Sequence, residues 1–123
     1  MSDLSTILYV DDEPINLMLF KVILGKKFNV ITASSGSEGL KIMSENKDIA
    51  GVVSDMRMPG MNGIEFIRLA KNIFPDIFYF ILTGYDITPE ISNALKEKLI
   101  NKYFQKPFND LEMEAAIREA IRK

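Results

Sequence analysis

Residues 52–63 read Val52-Val53-Ser54-Asp55-Met56-Arg57-Met58-Pro59-Gly60-Met61-Asn62-Gly63. The apolar start of this stretch predicts a buried strand that ends at Asp55, and Pro59 and Gly60 predict a turn into a new helix. A lone carboxylate at the end of a buried strand is costly unless it has a partner. We therefore expect that partner at the ends of the other predicted strands.

Polar residues follow three other apolar runs of strand length. Asp11 and Asp12 come directly after the run 7–10, Thr83 after the run 80–82, and Lys106 after the run 103–105. Carboxylate, hydroxyl and ammonium groups are the ones that phosphoryl transfer uses. These strand ends are therefore candidates for a single phosphoryl-transfer site.

The predicted strands alternate with helices five times along the chain. Strands are predicted at residues 6–10, 29–33, 51–54, 77–82 and 102–105. The run 77–82 is continuously apolar, which indicates burial on both faces, as in a parallel sheet that helices cover on both sides. In such α/β sheets, ligands bind beyond the carboxyl ends of the strands, where the polar residues lie.

Helix starts are marked by residues that commonly cap helices. Ser35 with Glu38 is a predicted capping box, and Asn62 with Glu65 shows the same spacing. In the first helix an apolar stripe recurs with helical spacing, as expected of the face that a surface helix turns to the core. Its members are Ile15, Met18, Leu19, Val22 and Ile23.

Length and composition exclude several classes of protein. The 123 residues predict a single domain, residues 1–123. The absence of cysteine and histidine excludes disulfides, thiolate zinc sites, serine–histidine triads and a phosphohistidine of the chain's own. A net charge of −2 without a basic run gives no indication of direct nucleic-acid binding. The chain shows no signal-peptide pattern and no apolar run of membrane-spanning length, so we expect a cytoplasmic protein without membrane contact.

Three carboxylates can converge only around a cation. The oxygen-only donor set indicates a hard ion, Mg²⁺. Asp11 and Asp12 are candidates to hold it, and a carboxylate beside it, Asp55, could take up a phosphoryl group as an acyl phosphate. Lys106 would supply a fixed positive charge and Thr83 a hydroxyl donor.

Each of these residues has an ordinary explanation when it is taken alone. Asp11 and Asp12 could simply begin a solvated helix, Thr83 could belong to a turn, and Lys106 could be a surface charge. Other functions of this fold class fit less well. A flavodoxin-like cofactor protein needs a phosphate-binding loop where this chain has acids, a P-loop nucleotidase needs an absent glycine–lysine motif, and an aspartyl phosphatase needs Asp-x-Asp and a cap domain.

Four motifs in order give the chain a resemblance to a known family. They are Val10-Asp11-Asp12-Glu13, Asp55 with residues 58–63, Leu82-Thr83-Gly84, and Tyr103-Phe104-Gln105-Lys106-Pro107-Phe108. From Ile7 to the last helix, the chain resembles the receiver domains of bacterial two-component response regulators. The resemblance implies a flavodoxin-like, doubly wound (β/α)5 fold with strand order 2-1-3-4-5.

The resemblance also implies roles at the acidic site. Asp55 matches the phosphoacceptor. Asp12 matches a residue that binds Mg²⁺ directly, Asp11 one that usually acts through water, and Arg57 one whose backbone carbonyl binds the metal.

Further implied roles concern the switch. Lys106 matches the residue that contacts the phosphoryl group, and the bond that follows it, to Pro107, is usually cis in the family. Thr83 and Tyr103 match the pair that moves on phosphorylation and alters the surface of the fourth helix, fifth strand and fifth helix.

The expected function is a signalling switch rather than a metabolic enzyme. Its phosphodonor would be a sensor histidine kinase or a histidine phosphotransfer protein. Its output would be a downstream protein partner, or an output domain outside these residues. The remaining alternative is a degenerate receiver that binds partners without being phosphorylated, against which the intact set of Asp12, Asp55, Thr83 and Lys106 argues.

Overall fold

A five-stranded parallel sheet forms the centre of the computed structural model, which describes residues 4–84 and 87–122. The strands are β1 (Thr6–Val10), β2 (Asn29–Ala33), β3 (Ile49–Ser54), β4 (Phe78–Thr83) and β5 (Lys102–Gln105). Their order is β2-β1-β3-β4-β5, and every neighbouring pair is parallel. The predicted fold class and strand order are confirmed. Residues 1–3, 85–86 and 123 of the predicted single domain lie outside the described residues.

Five helices cover the two faces of this sheet. They are α1 (Pro14–Leu24), α2 (Gly36–Glu45), α3 (Gly63–Ile73), α4 (Pro89–Lys96) and α5 (Asp110–Arg122). Helices α2, α3 and α4 contribute to one apolar cluster, and α1 and α5 to the other. Within the described part of the chain, no helix has both the length and the apolar character needed to cross a membrane.

The central strands are buried because each of their faces meets a layer of helices. All residues of β1 and β4 are buried. Along β1, Ile7 and Tyr9 pack toward α1 and α5, whereas Leu8 and Val10 pack toward the other three helices. This period-2 alternation between two apolar cores explains why the strands show no polar alternation in the sequence.

Helix caps agree with the sequence with one exception. Asn62 and Glu65 form the reciprocal capping box at the start of α3, which fixes the turn that follows Asp55. At α2, the Glu38 amide donates to the Ser35 side chain as predicted. The Glu38 carboxylate, however, accepts from the amide and hydroxyl of Ser34 rather than from the Ser35 amide. The predicted box at α2 is therefore only half formed.

The apolar stripe of α1 is not the face that packs on the sheet. Ile15 and Val22 are 67% and 63% exposed, and Met18, Leu19 and Ile23 are exposed as well. The buried residues of α1 are Phe20 and Leu24. The helix carries two apolar faces, and the one with the aromatic ring is buried because Phe20 stacks on Tyr9 of β1. Periodicity alone does not distinguish two such faces.

Candidate functional site

Three carboxylates meet at the carboxyl edge of the sheet. Oxygen atoms of Asp11, Asp12 and Asp55 all lie within 4.8 Å of one another. The backbone holds two of these residues in register, because the amide of Asp55 donates to Val10 O at 2.8 Å and that of Asp11 to Ala33 O at 3.1 Å. The ends of β2, β1 and β3 are thereby joined directly beneath the acids.

Lys106 brings a positive charge to this cluster. Its Nζ donates to Asp11 Oδ2 at 2.9 Å and lies 3.5 Å from Asp55 Oδ1. Its backbone amide donates to the Thr83 carbonyl at 2.7 Å, which joins the ends of β5 and β4. The following bond, to Pro107, is cis, as the resemblance implied. One ammonium group is therefore shared between two carboxylates from different strands.

Burial makes the charge on Asp55 unfavourable in the absence of a further cation. Asp11 is fully buried and Asp55 is 7% exposed. Burial raises the pKa of the Asp55 carboxyl above its ordinary value, and the nearby Asp11 carboxylate adds to the increase. The Lys106 ammonium and the Met56 amide, which donates to Asp55 Oδ1 at 2.9 Å, oppose it without cancelling it.

The other predicted site residues occupy different positions. Asp12 is half-buried and belongs to the acidic cluster. Arg57 is exposed and lines a groove between the loop after β3 and the start of α4. Thr83 is buried at the end of β4, and Tyr103 of β5 is half-buried and packs against the core under α2, α3 and α4.

The donor set fits a magnesium ion. It consists of carboxylate oxygens at the mouth of a sheet, and Mg²⁺ prefers oxygen ligands, uses one or two carboxylates and leaves places for phosphate oxygens. Asp11, Asp12 and Asp55 are the residues that would hold it. The backbone carbonyl of Arg57 remains a predicted ligand.

Two features were not anticipated from the sequence. The hydroxyl of Tyr9 donates to Asp11 Oδ2 at 2.6 Å, whereas the sequence pattern indicates only that Tyr9 belongs to an apolar strand. The available signal is a strand tyrosine two residues before the aspartate that directly follows the strand, since side chains two residues apart along extended backbone share a face. The second feature is the exposed stripe of α1, which begins four residues after Asp11.

A family profile and close relatives match almost the whole chain. The profile described as "Response regulator receiver domain" matches residues 7–118. Sporulation initiation phosphotransferase F of Bacillus subtilis (strain 168) is 34% identical over 119 residues, which cover 95% of this chain and 90% of that protein. The chain spans about a quarter of the length of several other curated relatives, among them transcriptional regulatory proteins.

Solved structures show the same fold. A response regulator receiver domain protein from Clostridium thermocellum is 36% identical with a TM-score of 0.86, covering 97% of this chain and 95% of that one. The response regulator TrrA from Thermotoga maritima, solved in complex with Mg(2+)-BeF, is 28% identical with a TM-score of 0.82. That comparison covers 94% of this chain and 98% of TrrA.

Proposed function

Because this chain belongs to the response regulator receiver domain family of two-component systems, we propose that it accepts a phosphoryl group on Asp55 from a partner's phosphohistidine. The donor is a sensor histidine kinase or a histidine phosphotransfer protein, since this chain has no histidine. A cytoplasmic location and an output through a protein partner or an attached domain are parts of the same proposal.

One observation carries this proposal. Carboxylates that follow two strands, β1 and β3, converge within 4.8 Å, and Lys106, which follows β5, lies 2.9 Å from Asp11 and 3.5 Å from Asp55. Asp55 is the central candidate for the acceptor because it follows the middle strand, β3, and lies in contact with the ammonium group. A solvated helix start would not require a fully buried Asp11 that accepts a hydrogen bond from a lysine 95 positions away.

The proposed transfer forms one bond and breaks another. A carboxylate oxygen of Asp55 attacks the phosphorus, the phosphorus–nitrogen bond breaks, and the electron pair returns to the donor imidazole, which takes up a proton. The product is an acyl phosphate on Asp55. A bound Mg²⁺ would supply positive charge to the phosphoryl oxygens. Later attack by water releases inorganic phosphate and restores the carboxylate.

Lys106 and the switch pair act on the charge that arrives. Phosphorylation adds roughly −1.5 to −2 charge at neutral pH, by analogy with other phosphorylated side chains. Lys106 Nζ, already between two carboxylates, donates to the new oxygens, and Thr83 follows from the end of β4. Movement of Tyr103 then transmits the change to the surface of α4, β5 and α5. The protein thus works as a switch that catalyses only its own phosphorylation and dephosphorylation.

Intact mass measurement after incubation with acetyl phosphate tests this function. We expect the addition of one phosphoryl group when Mg²⁺ is present, and none when a chelator is added first, because the three acids need a cation to accept an anion. Release of the label by hydroxylamine would identify an acyl phosphate. The degenerate receiver would be favoured if the protein binds Mg²⁺ at the acidic site but gains no mass. That result would have to hold both with acetyl phosphate and with a panel of phosphorylated histidine kinases.

The exposed stripe of α1 is the proposed docking surface for the phosphodonor. A donor histidine must approach Asp55 closely, so its carrier has to cover residues that border the acidic site. The stripe begins at Ile15, directly after the acidic loop, and extends to Ile23, about 12 Å along the helix. Its five large apolar side chains are 40% to 67% exposed, which suits an apolar face of a partner helix.

A charge placed in this stripe should slow phosphorylation by a protein donor but not by the small-molecule donor acetyl phosphate. We expect Val22→Glu to slow transfer from a histidine kinase at least about tenfold, since it buries a charge in an apolar contact. Labelling by acetyl phosphate should be unchanged. The control is Ile73→Glu on α3, because Ile73 is 61% exposed and Val22 63%. Equal losses in the two variants, or a loss with acetyl phosphate, would contradict the assignment. The measurement is the initial rate of transfer from a kinase that phosphorylates the wild-type protein.

A further inference from the structure

The buried hydroxyl of Tyr9 takes part in the acidic site. Tyr9 is 1% exposed, and its hydroxyl oxygen lies 2.6 Å from Asp11 Oδ2. An ionised carboxylate only accepts hydrogen bonds, so the phenol is the donor.

Tyr9 and Lys106 donate to the same oxygen atom. Lys106 Nζ lies 2.9 Å from Asp11 Oδ2, and the Glu13 amide donates to Asp11 Oδ1 at 3.0 Å. Asp11 is fully buried. If Lys106 moves away, the Tyr9 hydroxyl therefore remains as a hydrogen-bond donor to Asp11 Oδ2.

Aromatic packing fixes the position of the Tyr9 hydroxyl. The ring stacks on Phe20 of α1 with centroids 4.1 Å apart and planes 9° from parallel. Phe20 in turn packs on Phe108, which lies two residues after Lys106, with ring centroids 5.6 Å apart. The hydroxyl is thus held by β1 and α1, independently of the flexible lysine side chain.

We propose that Tyr9 is a positioning residue that holds the Asp11 carboxylate when Lys106 moves from it to the phosphoryl group on Asp55. Lys106 is shared between Asp11 and Asp55, at 2.9 and 3.5 Å, so new oxygens on Asp55 compete for it. A buried acceptor that loses its donor is costly. The Tyr9 hydroxyl reduces that cost and so favours the phosphorylated arrangement. This inference rests on the proposed function.

Binding of beryllium fluoride in the presence of Mg²⁺, followed by ¹⁹F NMR titration, provides the test. We expect Tyr9→Phe to weaken this binding about 3- to 10-fold, the range to which the net contribution of one hydrogen bond corresponds. Affinity for Mg²⁺ alone should not weaken, because the Asp11 carboxylate then has one competing donor fewer. A generally disordered site would instead weaken both.

Tyr79→Phe is the matched control. Tyr79 is fully buried and donates to the Phe74 carbonyl at 2.8 Å, in the core under α2, α3 and α4. This variant should lose comparable stability without any change in beryllium fluoride binding. Equal weakening in the two variants would overturn the proposal.

A double-mutant cycle isolates the step assigned to Tyr9. In a Lys106→Met background no lysine leaves Asp11, so Tyr9→Phe should then change beryllium fluoride affinity less than twofold. If Tyr9→Phe weakens beryllium fluoride binding in the Lys106→Met background as much as in the wild type, the inference is overturned. If the wild-type protein itself does not bind beryllium fluoride with Mg²⁺, the proposed function fails. If it binds and Tyr9→Phe binds equally, only the role of Tyr9 fails.

Discussion

Replacing Asp55 with asparagine is expected to abolish phosphorylation by acetyl phosphate and by any histidine kinase. The amide cannot act as the carboxylate nucleophile, yet it keeps nearly the same shape in a site that is 7% exposed. Intact mass measurement of Asp55→Asn should therefore show no added phosphoryl group under conditions that label the wild-type protein. Asp48→Asn, which changes an exposed acid in the same way, should be labelled normally. A labelled Asp55→Asn protein would refute the assignment of the acceptor.

The same substitution should stabilise the metal-free protein. Folding raises the pKa of Asp55 even though Lys106 opposes the increase. A raised acid pKa contributes stability that is complete below the unfolded-state pKa and is lost as the pH rises through the folded-state pKa. At neutral pH the ionised Asp55 thus opposes folding, and asparagine removes that charge. A gain of about 1 kcal/mol would raise the melting temperature about 3–5 °C.

The pH dependence of the gain in melting temperature tests whether the charge on Asp55 causes it. The difference in melting temperature between Asp55→Asn and wild type should shrink as the pH falls and Asp55 becomes protonated. Saturating Mg²⁺ should also reduce it, because the wild-type carboxylate then has a cation. Thermal unfolding with and without a chelator measures both effects. A lower melting temperature for Asp55→Asn at neutral pH without metal would contradict the electrostatic interpretation.

Lys106→Met is expected to have opposite effects on two ligands. Lys106 and Mg²⁺ compete for the same acids, since Nζ lies 2.9 Å from Asp11 and 3.5 Å from Asp55. Removal of the ammonium group should therefore strengthen Mg²⁺ binding. The phosphoryl group, in contrast, loses a charge-assisted hydrogen bond worth ~1.5–3 kcal/mol. Affinity for beryllium fluoride in the presence of Mg²⁺ should fall roughly 10- to 100-fold.

The control for this prediction lies at the start of the strand that Lys106 follows. Lys102 begins β5 at the opposite edge of the sheet and is exposed, so Lys102→Met changes the net charge equally without touching the acids. Titrations of Mg²⁺ and of beryllium fluoride should then match the wild type. A parallel change of both affinities in Lys106→Met, in either direction, would show that Lys106 acts through general structure rather than by competing for Asp11 and Asp55.

Local chemistry explains why so much of the fold could be predicted. Cap residues and turn residues act over three or four positions, so Asn62 with Glu65 marked the start of α3 correctly. Runs of buried apolar residues marked the strands, although β3 begins two residues earlier than predicted, at Ile49, and β4 is shifted by one. At α2 the Glu38 carboxylate accepts a hydrogen bond from the Ser34 amide instead of the Ser35 amide. The two donors are adjacent, so residue types do not predict which of them is used.

The amino-acid pattern alone predicts the alternation of strands and helices and the polar residue at each strand end, because these depend on short-range pattern. It also supported the parallel sheet, through strands without polar alternation, and the family resemblance, through four motifs in order. That Asp11, Asp12 and Asp55 would face one another could be expected, since parallel strands bring their carboxyl ends to one edge.

Packing between distant segments selects which face of α1 is buried and what Tyr9 contacts. Both apolar faces of α1 satisfy helical periodicity, and the packing of Phe20 on Tyr9 and Phe108 selects one of them. The same packing directs the Tyr9 hydroxyl to Asp11, which also accepts a hydrogen bond from Lys106, 95 positions further along the chain. These outcomes depend on contacts between distant segments, and a pattern within one segment does not contain the shape or charge of the segments that pack against it.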